Sequence, residues 1–496
     1  MRERVAFVHA QGAHVEPEAL KIQPAGLLGP SADAVRQDRF TVPVEELPVE
    51  LASLLRGYHA LHLRWTSPQQ YSTLEPFSSR QSPGLHVLAT PAADRSHHLR
   101  KLCEFLQVLG PLDCMIPEAF TSAGTLQPGV AESFSFYQAV EDLSSLVASG
   151  TKDICSEADP ICQSRLRSLY IVATLDFSFD SADQAVTISA LWPLWERALT
   201  VPRSEKRRTE VGIFTKGDPP NISPFEVGLG GLLTVLGEQD KPSPALFAFP
   251  SRNRLSDASF SSEFLSPTGL HPTLLLRLST SKPPLQDSDC VPYAFLTLPK
   301  TVFADRYQLE DKLFLASKNL SAARYTTLPV DLEAPEYTTK TWGSSVLLEL
   351  APPADGEDHP WTVQVPLHLR YLRPAASAYA QVEVPFPAVF WACDETSEAD
   401  FSTNPFDRLH LGYDGLFSRK TSFWHAEPKP VNGSRLMSSV SVPVLEEEAA
   451  TWIRLGTTTV VGLGFAWVVW KLLSAYMAPS MADRGERDGR RRKKET

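Results

Sequence analysis

The stretch Leu169–Phe179, LYIVATLDFSF, with the polar DSADQ of 180–184 and AVTISALWPLW of 185–195 after it, decides the fold class. Ile171, Ala173, Leu175, Phe177 and Phe179 recur at every second residue, which places them on one face of an extended chain. The polar turn and the β-branched and aromatic residues of the second run complete a predicted hairpin. YHALHLRW (58–65) and GLHVLAT (84–90) read as further short strands. Helical spacing is confined to stretches such as HHLRKLCEFLQVLG (97–110) and SFYQAVEDLSSLVAS (135–149). The 41 prolines are scattered rather than periodic. Each removes a donor and fixes φ, so strands punctuated by turns are expected rather than long helices.

At 496 residues the chain has room for two or three domains. Residues 1–240 are expected to form a β-rich domain with a few helices. Serine, proline and charge dominate 241–267, the composition of a linker. In 268–395 the runs TLLLRL, YAFLTL, SSVLLEL, WTVQVPLHLRY and YAQVEVPF predict an antiparallel β-sandwich. Alternation in WTVQVPLHLRY puts Val363, Val365, Leu367, Leu369 and Tyr371 on one face, with Gln364, Pro366, His368 and Arg370 on the other. Residues 396–452 read as an irregular stalk. The fold class is therefore mainly β: two β-rich domains, a stalk and one C-terminal transmembrane helix.

That helix is read at 453–477. From Leu455 to Trp470 the chain carries no charge, and with Lys471 and LLSAYM the apolar stretch reaches Met477. Its length of roughly 34 Å exceeds a hydrocarbon core of about 30 Å. Lys471 lies near the end and can snorkel outward, while Trp452, Trp467, Trp470 and Tyr476 suit the interface. Thr458, Gly462 and Ala466 recur every four residues, a spacing of small side chains that lets a second helix approach closely.

Orientation follows from the flanks. Glu446–Glu448 precede the helix, and the tail of 478–496 carries seven Lys/Arg against four Asp/Glu. The positive-inside rule places that tail in the cytosol and the body outside or in a lumen. Lys493 and Lys494 then stand fourth and third from the C-terminus, which resembles the dilysine signal that retrieves membrane proteins to the endoplasmic reticulum; a plain basic stop-transfer tail is the alternative. Six cysteines, all before the helix, suit disulfides in an oxidising compartment, and the sequence does not choose their pairing. Sequons stand at Asn221, weakened by Pro224, at Asn319 and at Asn432. The N-terminus, MRERVAFVHAQG, lacks the apolar run of a signal peptide and reads as a strand. Translocation without a cleaved signal is expected; a tail-anchored cytosolic body is the competing reading.

The net charge of −11 leaves no basic stripe to neutralise phosphates, so nucleic acid is not an expected partner. No G-x-S-x-G, H-E-x-x-H, G-x-G-x-x-G or P-loop occurs, and no cofactor or metal is expected. Asp287–Asp289 (DSD) resembles a sugar-nucleotide metal motif but lies in a Ser/Pro/Asp loop and reads as a solvated turn. The pairs His59/His62 and His97/His98 have no Cys or carboxylate cluster beside them and read as surface or strand histidines.

Within 268–394, GLHPTLLLRL, CVPYAFLTLPKTVFADRYQL and VPLHLRYLRPAASAYAQVEVPFPAVFWACD follow one another in order ahead of the apolar helix. They contain Cys290, Leu298-Pro299, Asp305, Tyr307, His368, Arg370-Tyr371, Pro374, Pro385 and Cys393. The segment resembles the PIG-X family, accessory subunits of glycosylphosphatidylinositol (GPI) mannosyltransferase I, and its fungal form, the protease B non-derepressible form protein. The resemblance covers about a quarter of the chain and leaves 1–240 unassigned. It implies a non-catalytic role beside a multi-spanning mannosyltransferase that adds the first mannose of the anchor precursor on the luminal side of the endoplasmic reticulum membrane. The fungal form's link to the folding of other proteins implies, as the alternative, a general luminal chaperone. Cys290 and Cys393 bracket the domain, and a disulfide closing it is expected from that placement. His368 and Arg370, in the matched motif with Tyr371, Pro374 and Pro385, are read either as a structural hydrogen-bond network or as a partner contact.

Overall fold

Alternating apolar residues dominate the chain, and strands are the result. A computed structural model describes all residues except 13–14, 93–94, 124–131, 156–158, 218, 220–221, 267–268, 286–287, 329, 354–357, 396–399 and 478–496. The chain divides into two units, one of Met1–Tyr371 with Val382–Val440 and one of Leu372–Gln381 with Ser441–Thr496.

The first unit holds two large sheets. The strands of the first are β1 (Arg2–His9), β2 (Ser31–Pro43), β3 (Tyr58–Thr66), β4 (Gly84–Pro91), β5 (Thr121–Ser122), β6 (Phe134–Gln138), β7 (Thr174–Asp180), β8 (Ala185–Ala198), β9 (Arg208–Lys216), β10 (Glu226–Val235) and β11 (Ser243–Pro250). Their spatial order is β11-β10-β9-β1-β2-β8-β7-β3-β4-β6-β5. The hairpin read from 169–195 is β7–β8, paired from Asp180↔Ala185 to Thr174↔Leu191. Its first strand begins later than expected. Ser168–Ile171 form a 3-10 turn in which the Ser168 carbonyl accepts from the Trp192 indole at 2.9 Å, and Ile171 is exposed.

Helix α1 (Arg95–Leu106) covers one face of this sheet. Leu99, Leu102, Cys103 and Leu106 stand at i, i+3, i+4 and i+7, and all four are buried with Leu61, Leu63, Leu85, Val87, Phe136 and Phe179. The helical reading of 135–149 holds only for its second half, where α2 spans Ser144–Asp153. The first half is β6, because Phe134 and Phe136 alternate into this core while the Ser135 hydroxyl pairs with that of Thr121 at 3.0 Å. Helix α3 (Pro160–Arg167) is capped by the Asp159 carboxylate, which accepts from the Cys162 amide.

The second sheet comprises β12 (Asn253–Phe264), β13 (Thr273–Leu278), β14 (Cys290–Pro299), β15 (Leu320–Thr326), β16 (Gly343–Leu350), β17 (Trp361–Pro366), β18 (Ala388–Asp394) and β19 (Thr421–Pro428). In the order β15-β16-β14-β18-β19-β12-β13-β17, every neighbouring pair is antiparallel except β12–β19. The sheet curls until its ends meet: the Gln364 amide donates to the Lys318 carbonyl at 3.0 Å, and the Asn319 side-chain amide donates to the Thr362 carbonyl at 2.8 Å. Leu274, Leu276, Leu296, Leu298, Leu348 and Val363 are buried on the strands. Phe295, Leu347, Phe390 and Phe423 form a separate buried cluster with Leu411 and Tyr413.

Two expectations are corrected here. The stretch 241–267, read as a linker, contains β11 and β12, one strand in each sheet. Residues 396–452, read as a stalk, contain β19, which lies between β18 and β12, and a loop at 404–416 packed into the first unit. In both stretches the polar residues that suggest a loop are buried against one another. Ser262 and Ser438 hydroxyls pair at 2.9 Å, the Asn253 side-chain oxygen Oδ1 meets His425 Nε2 at 2.9 Å, and Arg408 holds Asp176 at 2.7 Å. Arg64 lies 3.8 Å from the same carboxylate, and Arg254 and Lys216 hold Glu75 at 2.7 and 3.0 Å. Buried charges paired in this way cost several kcal/mol when one partner is removed. Trp342, from a turn of the second region, lies in the apolar cluster of the first sheet.

His425 is fully buried, and burial holds its pKa at about 3, against an ordinary 6.5. The unfolded chain therefore binds a proton that the native chain refuses. Stability is full above about pH 6.5 and falls as pH drops toward 3, at about 1.4 kcal/mol per pH unit for this one group. Denaturant titrations at pH 7 and pH 5 should show the loss, and His425→Gln should reduce the slope by this group's share, the buried His62 and His86 supplying the rest.

The second unit is described by itself. Ala375 donates to the Leu445 carbonyl at 3.1 Å and Val444 to that of Ala378 at 2.9 Å, a short pairing just ahead of α4 (Glu447–Met477). Helix α4 has 31 residues and none of them is buried.

Candidate functional site

The motif residues lie where β17 ends. Pro366 closes that strand, and His368–Leu369 form a two-residue strand against Val302–Phe303. His368 stacks on the Phe303 ring with centroids 5.3 Å apart. Its Nδ1 is 3.0 Å from Nδ1 of His271, and its Nε2 is 3.2 Å from the Gln308 side-chain oxygen. Two Nδ1 atoms in contact share one proton, so one ring presents a bare nitrogen. Burial and the neighbouring His271 both lower the His368 pKa.

Arg370 lays its guanidinium over the same Phe303 ring, 4.6 Å from its centroid, and donates to the Ala334 carbonyl at 2.8 Å. Burial pulls its pKa down, while Asp331 opposes the shift. The alternation read from sequence fails here. Arg370 is buried and Tyr371 is 65% exposed, because the strand stops at Leu369 and the chain turns Arg370 inward onto Phe303. Tyr307, one residue before Gln308, is 60% exposed as well. The geometry thus gives a braced ring and two exposed tyrosines, of which Tyr307 accepts from Arg306 at 3.2 Å. Pro374 is exposed in the second unit, and Pro385 is buried at the end of the strand Tyr379–Pro385.

Thr458, Gly462 and Ala466 lie in α4 with exposed side chains, and a Cβ added at Gly462 would meet nothing within 4 Å. The Thr458 hydroxyl donates to the Arg454 carbonyl at 2.8 Å, so it leaves no unmet donor on the helix surface. Lys471 lies 5.1 Å from the Trp470 ring centroid. By length and composition α4 is long and apolar enough to cross a membrane.

Cys290 and Cys393 stand opposite each other on β14 and β18 and are disulfide-bonded; Cys103–Cys114 and Cys155–Cys162 are the other two bridges. Asn319 is exposed in a left-handed turn with φ of +57°. Asn432 is exposed in a loop whose Gly433 has φ of +68°. Asn221, Asp287, Lys493 and Lys494 lie outside the described residues. Among the described residues no group of three or more His, Cys, Asp or Glu converges to hold a metal. His59 is exposed, whereas His62 is buried and stacks on His410 at 3.7 Å. His97 and His98 meet edge to face at 5.6 Å. Sequence reasoning missed Trp342, Arg408 and His410, which reach their partners from distant segments; no local periodicity marks them.

Residues 267–473 match the protein family described as PIG-X / PBN1. Among curated relatives, "Protein PBN1" of Gibberella zeae is 55% identical over 98% of both chains. "Protein pbn1" of Neurospora crassa is 48% identical and that of Emericella nidulans 36% identical, each over 95% of both chains. The likeness extends through residues 1–240, so the first sheet is part of what these proteins share. The chain belongs to the PIG-X / PBN1 family.

Proposed function

We propose that the chain is a non-catalytic stabilising subunit of GPI mannosyltransferase I, the complex that adds the first mannose to the GPI-anchor precursor at the endoplasmic reticulum. The observation that carries this reading is the extent of the family match, which runs from the curled sheet through α4. A transferase working on lipid-linked sugars needs several spans to hold its substrates. A β domain joined to one candidate span is built instead to cover and brace a multi-spanning partner.

The body is luminal and the tail cytosolic in this reading. Three disulfides suit an oxidising compartment, and Glu446–Glu448 lie on the body side of the helix. Lys493 and Lys494 then serve retrieval from the cytosolic side. Tyr307, Tyr371 and the Thr458–Gly462–Ala466 face are the contact points offered to the partner. The alternative, a general chaperone for membrane proteins of that compartment, is favoured by β11. This edge strand carries no charge and exposes Leu246 and Phe247 at 68% and 38%.

Depletion of the protein should lower the abundance of one polytopic mannosyltransferase with few other changes in the proteome. Loss of many unrelated membrane proteins would favour the chaperone instead, and unchanged mannosyltransferase abundance would contradict the subunit reading. Gly462→Leu should cut co-purification of the polytopic partner severalfold while leaving the denaturation midpoint of the body unchanged, because the added side chain meets open space within this chain.

A further inference from the structure

The first unit contains a cavity of about 500 Å³ lined by β3, β4 and β6 on one side, by Phe295, Tyr325 and Ser345 on the other, and by the loop 410–419. A second space of about 340 Å³ shares His62, Arg64, Asp180 and His410 with it. The larger space is of ordinary ligand-site size. We propose that this cavity binds a short neutral saccharide.

Three observations lead there. First, the inner charges Arg64, Arg252 and Asp414 are already used within the protein, and the exposed Arg419 stands only at the mouth. Arg64 donates to the carbonyls of Leu409 and Phe177, and Arg252 to those of Thr421, Asp414 and Ser418. The Asp414 carboxylate accepts the amides of His410 and Leu411 at 2.7 and 3.0 Å. An ionic ligand would find no free countercharge among these groups.

Second, buried neutral hydrogen-bonding atoms are left over. His62 is 4% exposed, and neither of its ring nitrogens has a partner. Burial, with His410 and Arg64 beside it, keeps that ring uncharged by pushing its pKa far down. Gln81 is 8% exposed; its amide nitrogen donates to the Leu411 carbonyl at 3.1 Å, while its oxygen is unpartnered. A neutral imidazole supplies one donor and one acceptor, and the glutamine oxygen one more acceptor, which matches hydroxyl groups and not an apolar guest.

Third, Tyr137, Trp342 and Phe295 contribute aromatic surface to the walls. Aromatic rings next to sparse, oriented neutral polar groups suit the apolar C–H surface of a sugar ring and its hydroxyls together. Exposed His59, Gly412, Gly415 and Arg419 form the mouth. The inference concerns the first unit alone and does not depend on the subunit reading.

The test uses the full chain purified in a detergent without a sugar headgroup. Ligand-observed saturation-transfer NMR and thermal shift are read with glucose, mannose, N-acetylglucosamine and chitobiose, and with glucose 6-phosphate as the anionic control. At least one neutral sugar should bind saturably with a Kd of about 1 mM or tighter. Gln81→Leu and His62→Phe should each weaken that binding at least tenfold. His62→Phe should not lower the melting temperature of the sugar-free protein, because it removes an unpartnered buried polar group. Absence of saturable binding by every neutral sugar, equal binding by both variants, or tighter binding of the phosphate would overturn the proposal; the first outcome would mean the cavity holds water only.

Discussion

Trp342→Ala is expected to destabilise the first unit by about 3–5 kcal/mol, the range for deleting a large aromatic from a packed core. Trp342 is 7% exposed and stands in one cluster with Leu85, Phe136 and Phe179, although it comes from the region of the second sheet. Its indole N–H donates to the Thr121 hydroxyl and to the Ser135 carbonyl, each at 3.0 Å, and its own amide donates to the Ala119 carbonyl at 3.1 Å. The truncation therefore leaves a cavity and also frees two acceptors on β5 and β6. Trp342→Phe keeps most of the apolar contact and loses only the indole donor, so it should cost about 1–2 kcal/mol. Denaturant titration of the two variants, read by far-UV circular dichroism, checks both values. A loss below about 1 kcal/mol for the alanine variant would show that the contact is not part of the fold's stability.

Replacing Cys290 and Cys393 together by serine has a comparable expected cost. The bridge closes a loop with a sequence separation of 103 residues. A cross-link of that span restricts the unfolded chain by about 4–5 kcal/mol in the chain-entropy view. The strand pairing that brings the two residues opposite each other remains in the variant, so the native fold persists with reduced stability. Cys393 is fully buried beside Trp391, Trp424 and Phe225, and the double replacement avoids leaving one thiol unpaired there. The denaturation midpoint of the double variant should match that of the wild-type chain under reducing conditions, apart from the two shorter bridges. Near-identical midpoints for the oxidised wild type and the variant would contradict the estimate.

The hairpin at 169–195, the α1 face and the apolar helix were legible because each repeats one chemical character at a fixed spacing. Leu99, Leu102, Cys103 and Leu106 need no distant partner to be recognised. β12 and β19 hid for the opposite reason. Asn253, Ser262 and His425 look like loop residues until the fold sets Asn253 against His425 and Ser262 against Ser438. The same holds at the motif. The period of two in WTVQVPLHLRY ends with the strand at Leu369, and only the presence of Phe303 explains why Arg370 turns inward while Tyr371 faces out. The chemistry of His62 was invisible for a related reason: His410, on which it stacks, lies far along the chain.

The side of the membrane on which the acidic body resides decides between a luminal subunit and a cytosolic protein. Sealed microsomes carrying the full chain, treated with trypsin and then with an endoglycosidase, address that directly. A luminal body predicts a protected fragment shortened only by the tail beyond Met477, with mobility that shifts on glycan removal and no longer shifts when the sequons at Asn221, Asn319 and Asn432 are all removed. A body digested in intact vesicles and carrying no glycan would place it in the cytosol and contradict the subunit reading.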